Sequence, residues 1–228
     1  MEMTDTLDNT TINPASPPAA VAVVGCGPGS AEYLTDAARR AVAGADALAG
    51  SRRLLDLFPQ HGGQRLVWAG DADSLLGRIE RVRGTGRTVA VLVSGDPGLC
   101  SLSRQVIGRF GPGVVRVIPG VSSVQTAFAR LGLDWTRARI VSAHGRTPEI
   151  APDQLGGADD FVVLAGTREA LQWSAAAARW LEASHTAVLC ENLTLAGERV
   201  RRTSPEELGH AAAASLSIVL LIRRNLFP

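Results

Sequence analysis

The chain contains no lysine, so its positive charge is carried by arginine alone. The 23 basic residues nearly balance the 22 acidic ones, and the formal net charge is only +1. A charge this small creates no field that would draw nucleic acid or an anionic membrane surface to the protein. The absence of lysine also excludes a P-loop, which places a lysine beside the nucleotide phosphates. Arginine has a planar fork that pairs well with carboxylates, so the composition still allows an acidic small-molecule ligand.

Cysteine is scarce, and the three that are present, Cys26, Cys100 and Cys190, lie far apart without a CxxC pair. An odd number of isolated cysteines is not the pattern of a disulfide framework or of a zinc site. No histidine has a second ligand at metal-binding spacing, so no metal site is predicted. These absences indicate a reducing compartment, and we expect a cytoplasmic protein.

Long apolar runs are also missing, since none approaches the roughly 20 residues that a helix needs to cross a bilayer. We therefore expect no membrane partner. Residues 1–20 lack the basic start and the apolar core of a signal peptide. We expect them to form a disordered tail.

A strand, a glycine-rich turn and a helix follow one another three times after this tail. The predicted strands cover 21–24, 89–93 and 114–118, their turns cover 25–30, 94–98 and 119–120, and the helices begin after Thr35, near Ser101 and at Ser122. Apolar strands that alternate with helices predict a parallel sheet covered on both faces. Because ligands of such sheets bind beyond the carboxyl ends of the strands, we expect the three turns to meet at one site.

An irregular stretch over residues 145–160 divides the 228-residue chain. The sequence predicts an N-terminal α/β domain over 21–144, which ends in a strand at 139–143. It predicts a C-terminal α/β domain over 161–228, with strands at 161–165, 186–190, 199–202 and 216–222 and helices at 168–182 and 205–214. The fold class is therefore α/β, with a largely parallel N-terminal sheet.

The first turn, Gly25-x-Gly27-x-Gly29, resembles a dinucleotide fingerprint only in part. Ser30 occupies the third fingerprint position, and Pro28 removes an N–H that would face a pyrophosphate. The turn is therefore either purely structural or a ligand loop that does not bind NAD.

The later turns each allow two interpretations. Asp96, between Gly95 and Pro97, is either a helix cap or a carboxylate at the ligand edge. Ser122 and Ser123 form either a capped helix start or a pair of hydroxyls that face the site. Two titratable side chains also follow predicted strands: the imidazole of His144 follows strand 139–143, and the carboxylate of Glu191 follows strand 186–190.

Four segments, in this order, resemble the tetrapyrrole methylase family: residues 23–29 (VVGCGPG) with Leu34 and Thr35 behind them, 94–98 (SGDPG), 118–123 (IPGVSS) and 191–193 (ENL). Four further segments resemble its CbiE branch: 50–54 (GSRRL), 122–135 (SSVQTAFARLGLDW), 144–146 (HGR) and 198–200 (ERV). Two positions depart from the family pattern, with Ser30 in place of a frequent Asp and Cys100 in place of a frequent aromatic residue.

The resemblance implies two α/β domains with the active site in the cleft between them. It implies S-adenosyl-L-methionine as methyl donor and methylation at C5 of precorrin-7 or cobalt-precorrin-7 in cobalamin biosynthesis. Any cobalt would belong to the substrate. Two alternatives stay open, namely a family methyltransferase with another substrate and a module that binds the donor or the tetrapyrrole without chemistry.

The resemblance and the meeting of the turns together give a set of expected site residues. Those expected to contact the donor are Gly27, Pro28, Gly95, Asp96, Pro97, Leu99, Ser122, Ser123, Leu164 and Ala165. Those expected to bind the carboxylates of the tetrapyrrole are Arg52, Arg53 and Arg146. Those expected to accept a proton are His144 and Glu191.

The resemblance also implies a homodimer, and the predicted helix over 168–182 carries Trp173 and Trp180 near one face. That face either contacts a second copy or packs on the sheet of its own domain. In the fused members of the branch a second domain methylates C15, and this chain ends at Pro228 before such a domain. We therefore expect a separate or fused C15-methyltransferase partner.

Overall fold

The computed structural model describes residues 20–143, 148–156, 159–212 and 214–227, which form two five-stranded sheets. The N-terminal sheet has the strand order β3-β2-β4-β1-β5 and is parallel throughout. Its strands are β1 (Val21–Gly25), β2 (Ala47–Gly50), β3 (Gln64–Val67), β4 (Val89–Val93) and β5 (Val115–Ile118). The helices between them are α1 (Asp36–Ala43), α2 (Arg52–Leu55), α3 (Ala72–Arg83) and α4 (Ser103–Phe110).

The central strands of this sheet are buried on both faces because they consist almost entirely of small and β-branched apolar residues. Val23 and Val91 pack on one face with residues of α3 and α4. Val24 and Leu92 pack on the opposite face with residues of α1 and α2. The predicted parallel sheet with helices on both faces is thereby confirmed.

The C-terminal sheet is mixed, with the strand order β6-β7-β10-β8-β9 and a parallel pair only between β6 and β7. Its strands are β6 (Ala138–Ser142), β7 (Asp160–Ala165), β8 (His185–Glu191), β9 (Arg199–Thr203) and β10 (Ser217–Arg223). The accompanying helices are α5 (Ser123–Leu131), α6 (Arg168–Trp180) and α7 (Pro205–His210).

Helix α5 follows a strand of the first sheet but covers the second. Its Val124 and Phe128 are buried in one cluster with Val162 of β7 and Val188 of β8. Helix α6 packs on the other face, where Leu171 joins a cluster that contains Leu189. The second sheet is thus enclosed between α5 and α6.

Strand β6 lies in the second sheet, where Ile140 pairs with Val162. The sequence placed this segment in the N-terminal domain, because strand pairing between distant segments leaves no local signal. The four elements β2, α2, β3 and α3 were also not predicted. Their strands are only four residues long.

The two tryptophans of α6 have different environments. Trp173 is 9% exposed and belongs to the core of its own unit, so its packing on its own sheet is confirmed. Trp180 is 57% exposed, and its indole N–H donates to the Leu155 carbonyl at 3.2 Å. The homodimer stays a prediction. Within the described ranges, no helix has the length and apolar character required to span a bilayer.

A buried ion pair joins the first residue of β7 to the last residue of β10. The Asp160 carboxylate accepts from the backbone N–H of Arg223 at 2.9 Å and from Nε and Nη2 of its guanidinium, both at 3.1 Å. Asp160 is only 3% exposed. These contacts fix the ends of two antiparallel neighbours.

Replacing Asp160 with Asn is expected to lower the free energy of unfolding by about 2–3 kcal/mol, because the largely buried Arg223 guanidinium loses its charged acceptor. Urea denaturation followed by circular dichroism measures this change. Glu80→Gln is the matched control, since it breaks the solvent-exposed pair with Arg109 and should change stability little. A loss for Asp160→Asn no larger than that of the control would contradict this account.

Candidate active site

The turns after β1, β4 and β5 meet at the carboxyl edge of the N-terminal sheet, as predicted. Gly27 and Gly95 exchange two backbone hydrogen bonds, with N···O distances of 3.3 Å and 2.8 Å. A Cβ on Gly120 would lie 2.5 Å from the Gly95 carbonyl oxygen and 2.8 Å from the Gly25 carbonyl carbon. Only glycine allows this approach, because no real Cβ comes so close to backbone atoms.

The Asp96 carboxylate connects two of these turns. One oxygen accepts from Gly98 N at 2.8 Å within its own turn, and the other accepts from Gly120 N at 3.0 Å in the turn after β5. Helix α4 begins only at Ser103, with Leu102 as its N-cap, so the helix-cap interpretation of Asp96 is wrong. Because a carboxylate has about four acceptor positions, two of those positions remain beyond its contacts with the described residues.

Ser122 is the N-cap of α5, and its hydroxyl oxygen accepts from Gln125 N at 3.1 Å. The Gln125 side chain accepts in return from Ser122 N at 2.9 Å, which completes a capping box. The capping interpretation is therefore confirmed for Ser122. A Cβ on Gly95 would lie 3.6 Å from the Ser122 Cα and 3.8 Å from Ser123 N, so α5 begins beside the turn after β4.

Arg53 reaches the same edge from α2, and its Nη2 donates to the Ser94 hydroxyl at 3.2 Å. Its Nη1 is buried and has no hydrogen-bond partner among the residues that the structure describes. Burial lowers the pKa of this guanidinium and raises the pKa of the neighbouring Cys26 thiol to about 12, although the Arg53 charge opposes the second shift. Arg52 is exposed instead.

The expected site residues of the C-terminal half do not all lie on the same face of their sheet. Leu164 and Ala165 form the end of β7 and pack on opposite faces of its sheet. Glu191 ends β8 and is 5% exposed, with Oε2 3.3 Å from Nε of Arg199 on the neighbouring strand. Its neighbour Cys190 packs on the α5 face, so the pleat directs Glu191 to the α6 face.

All of the expected donor, substrate and proton-acceptor roles stay predictions. His144 and Arg146 lie outside the described residues. The Glu191 side chain holds an ion pair, and its role as proton acceptor stays a prediction. Among the described residues, no three His, Cys, Asp or Glu side chains are grouped closely enough to hold a metal ion.

The first turn also contacts the β8–β9 loop, a pairing that is not apparent from the sequence. Ser30 N donates to the Thr194 hydroxyl at 2.9 Å. A Cβ on Gly29 would lie 2.6 Å from Cγ of Leu195. Thr194 and Leu195 directly follow segment 191–193, which resembles the family. Their place beside that segment is the one indication in the sequence that they lie near the site.

Comparisons with known proteins agree with this architecture. A model of the family Tetrapyrrole (Corrin/Porphyrin) Methylases matches residues 20–209. Cobalt-precorrin-7 C(5)-methyltransferase of Salmonella typhimurium is 41% identical over 124 residues, which are 54% of this chain and 61% of that relative. The match therefore spans less than two thirds of the relative's length.

Solved structures extend the likeness over most of the chain. The precorrin-6Y methylase (cbiE) of Archaeoglobus fulgidus has a TM-score of 0.68 and 27% identity, with 90% of this chain and 98% of that chain covered. Uroporphyrin-III C-methyl transferase of Thermus thermophilus, in complex with S-adenosyl homocysteine, has a TM-score of 0.68 and 24% identity, with 88% and 96% covered. Because the family model spans nearly the whole described chain, this protein belongs to the tetrapyrrole methylase family.

Proposed function

We propose that this protein is a methyltransferase that transfers a methyl group from S-adenosyl-L-methionine to C5 of precorrin-7 or cobalt-precorrin-7. The observation that carries the proposal is that segments far apart in sequence, which resemble the family, meet at one edge of the N-terminal sheet. The 41% identity to a relative named for C5 methylation supports the choice of the carbon.

The residues at this edge fit the donor by their chemistry. S-adenosylmethionine supplies an electrophilic methyl group and presents hydroxyl and ammonium donors. Asp96 is half-buried and retains free acceptor positions beyond those occupied by Gly98 and Gly120. The start of α5 lies beside Gly95, and the positive end of its dipole suits a carboxylate.

The chain's main contribution to the reaction is then to orient two reactants. Methyl transfer from a sulfonium to an electron-rich carbon is an in-line displacement, which gains most from alignment in a site that excludes water. The backbone contacts between Gly27 and Gly95 make the donor edge rigid before any ligand binds. A proton lost from C5 still requires an acceptor, for which His144 and Glu191 stay predictions.

Arg53 is the arginine best placed to bind an acidic substituent of the tetrapyrrole. Its guanidinium is anchored through one nitrogen to Ser94, while the buried Nη1 lacks any partner among the described residues. An unpaired guanidinium nitrogen is costly when buried. Because the Arg53 side chain as a whole is only half-buried, a rotation of the guanidinium would expose Nη1 to a carboxylate, which would satisfy it with a charge-assisted hydrogen bond. Substrate binding therefore offsets a deficit that the free protein carries.

The test of this function is incubation with S-adenosylmethionine and precorrin-7, with and without cobalt, followed by mass spectrometry. We expect the tetrapyrrole to gain one methyl group, located at C5 by NMR. Methylation of a different tetrapyrrole alone would favour another substrate in the family. Donor binding without methyl transfer to any tetrapyrrole would favour a non-catalytic module.

Asp96→Asn is expected to weaken donor binding in calorimetry about tenfold, because an amide cannot accept from both turns and from the ligand. Asp36→Asn is the control, since Asp36 is an exposed acid in the first turn of α1. Equal donor affinity for the two variants, with both folded, would remove Asp96 from the donor site.

Arg53→Gln is expected to weaken tetrapyrrole binding by about tenfold or more, through the loss of a charge-assisted pair, and to leave donor binding nearly unchanged. Arg40→Gln is the control, since Arg40 is an exposed arginine in the last turn of α1 and has no predicted role in the site. Titration of both ligands at two salt concentrations measures the difference. Equal losses for donor and tetrapyrrole in Arg53→Gln would contradict its assignment to the substrate.

A further inference from the structure

A cluster of polar side chains connects the turn after β1 with the second sheet. It contains Ser30 and Tyr33 from the β1–α1 connection, Arg130 from the last turn of α5, and Thr194 and Glu198 from the β8–β9 loop. We call these five residues the bridging cluster. None of them was expected to contact donor or substrate.

The centre of the bridging cluster is an ion pair with two parallel hydrogen bonds. Arg130 Nε donates to Glu198 Oε1 at 2.5 Å, and Nη2 donates to Oε2 at 3.1 Å. Arg130 Nη2 also lies 3.4 Å from the Tyr33 hydroxyl, which it contacts as a donor. Hydrogen bonds from the Arg130 side chain lower the pKa of Glu198, so the carboxylate is ionised at neutral pH. A bidentate pair of this kind fixes direction as well as distance.

The Glu198 carboxylate, held by Arg130, also fixes the position of Thr194. Its Oε2 accepts from Thr194 N at 2.6 Å, within a loop in which Asn192 and Thr194 have φ angles of 52° and 67°. Such left-handed backbone conformations are uncommon for residues other than glycine and persist only where the surroundings hold them. The carboxylate of Glu198 supplies that support for Thr194.

Thr194 in turn holds the turn after β1. Its hydroxyl accepts from Ser30 N, the amide directly after Gly29. Gly29 itself lies against Leu195 and the Leu193 carbonyl, at distances that leave no room for a side chain. The outer side of the turn is thus supported by the second sheet, while its inner side, at Gly27, is hydrogen-bonded to Gly95.

We propose that Glu198 and Thr194, with Arg130 behind them, are positioning residues for the methyl donor, which act by holding the 27–30 turn at the donor edge. This inference rests on the proposed function, because it gives that turn a ligand. It assigns to the β8–β9 loop a role in donor affinity without direct contact between these side chains and the donor.

The test uses three substitutions in the full chain. Thr194→Val keeps the β-branched shape and removes the acceptor for Ser30 N. Thr194→Ser keeps the hydroxyl, and Glu198→Gln removes the charge of the pair. Glu80→Gln, in the exposed pair of Glu80 with Arg109, is the control for the loss of a carboxylate elsewhere. Calorimetry with S-adenosyl homocysteine measures affinity, and hydrogen exchange at the Ser30 amide measures the contact itself.

We expect Thr194→Val and Glu198→Gln each to weaken binding of S-adenosyl homocysteine about tenfold and to speed exchange at Ser30, as the loss of one net hydrogen bond would. The double variant should lose no more affinity than the single variant that has the larger loss, because both residues act through one contact. Thr194→Ser should restore most of the affinity, and Glu80→Gln should match the unmodified protein.

Two results in folded variants would overturn the proposal. Faster exchange at Ser30 with unchanged affinity would give the bridging cluster a purely structural role. Additive losses in the double variant would mean that Glu198 does not act through Thr194. If the unmodified protein does not bind S-adenosyl homocysteine, both the proposed donor and the positioning role are rejected. This result is obtained before any variant is made, so it is distinguishable from the two results above.

Discussion

At Gly25, Gly95 and Gly120 the turns after β1, β4 and β5 approach one another so closely that they determine where the three strands end. Atoms of these turns lie nearer to one another than any side chain would permit. Three parallel strands must therefore end at the same level of the sheet. The Asp96 carboxylate can then span from the turn after β4 to the turn after β5. The result is a closely packed sheet edge made mainly of backbone, at which we propose that the donor binds.

Helix α5 connects this edge with the second half of the molecule. Its first residues lie beside Gly95, its buried side chains belong to the core of the C-terminal sheet, and Arg130 in its last turn pairs with Glu198. A displacement of the second sheet would therefore also move the proposed donor edge, because the same helix contacts both.

Local patterns in the sequence predicted the elements that border the site. The apolar runs at β1 and β4 and the helix start after Thr35 are evident from neighbouring residues alone, whereas the cap at Ser122 is one of two interpretations that the sequence leaves open. The short strands β2 and β3 are not predicted from the sequence, because a four-residue segment that contains Ala, Gly or Gln has a low strand propensity. The hydrogen-bond partners of Asp96, Ser30 and Arg130 are not predicted for another reason. Gly120, Thr194 and Glu198 are 24, 164 and 68 residues away in sequence, so only folding brings these pairs together.

Backbone amide chemical shifts on addition of S-adenosyl homocysteine show whether these turns form the donor site. If they do, the largest changes occur at residues 25–30, 94–99 and 119–123, with smaller changes in the β8–β9 loop. Largest changes elsewhere, for example along the groove between α6 and α7 that Gln172 and Glu206 line, would contradict it.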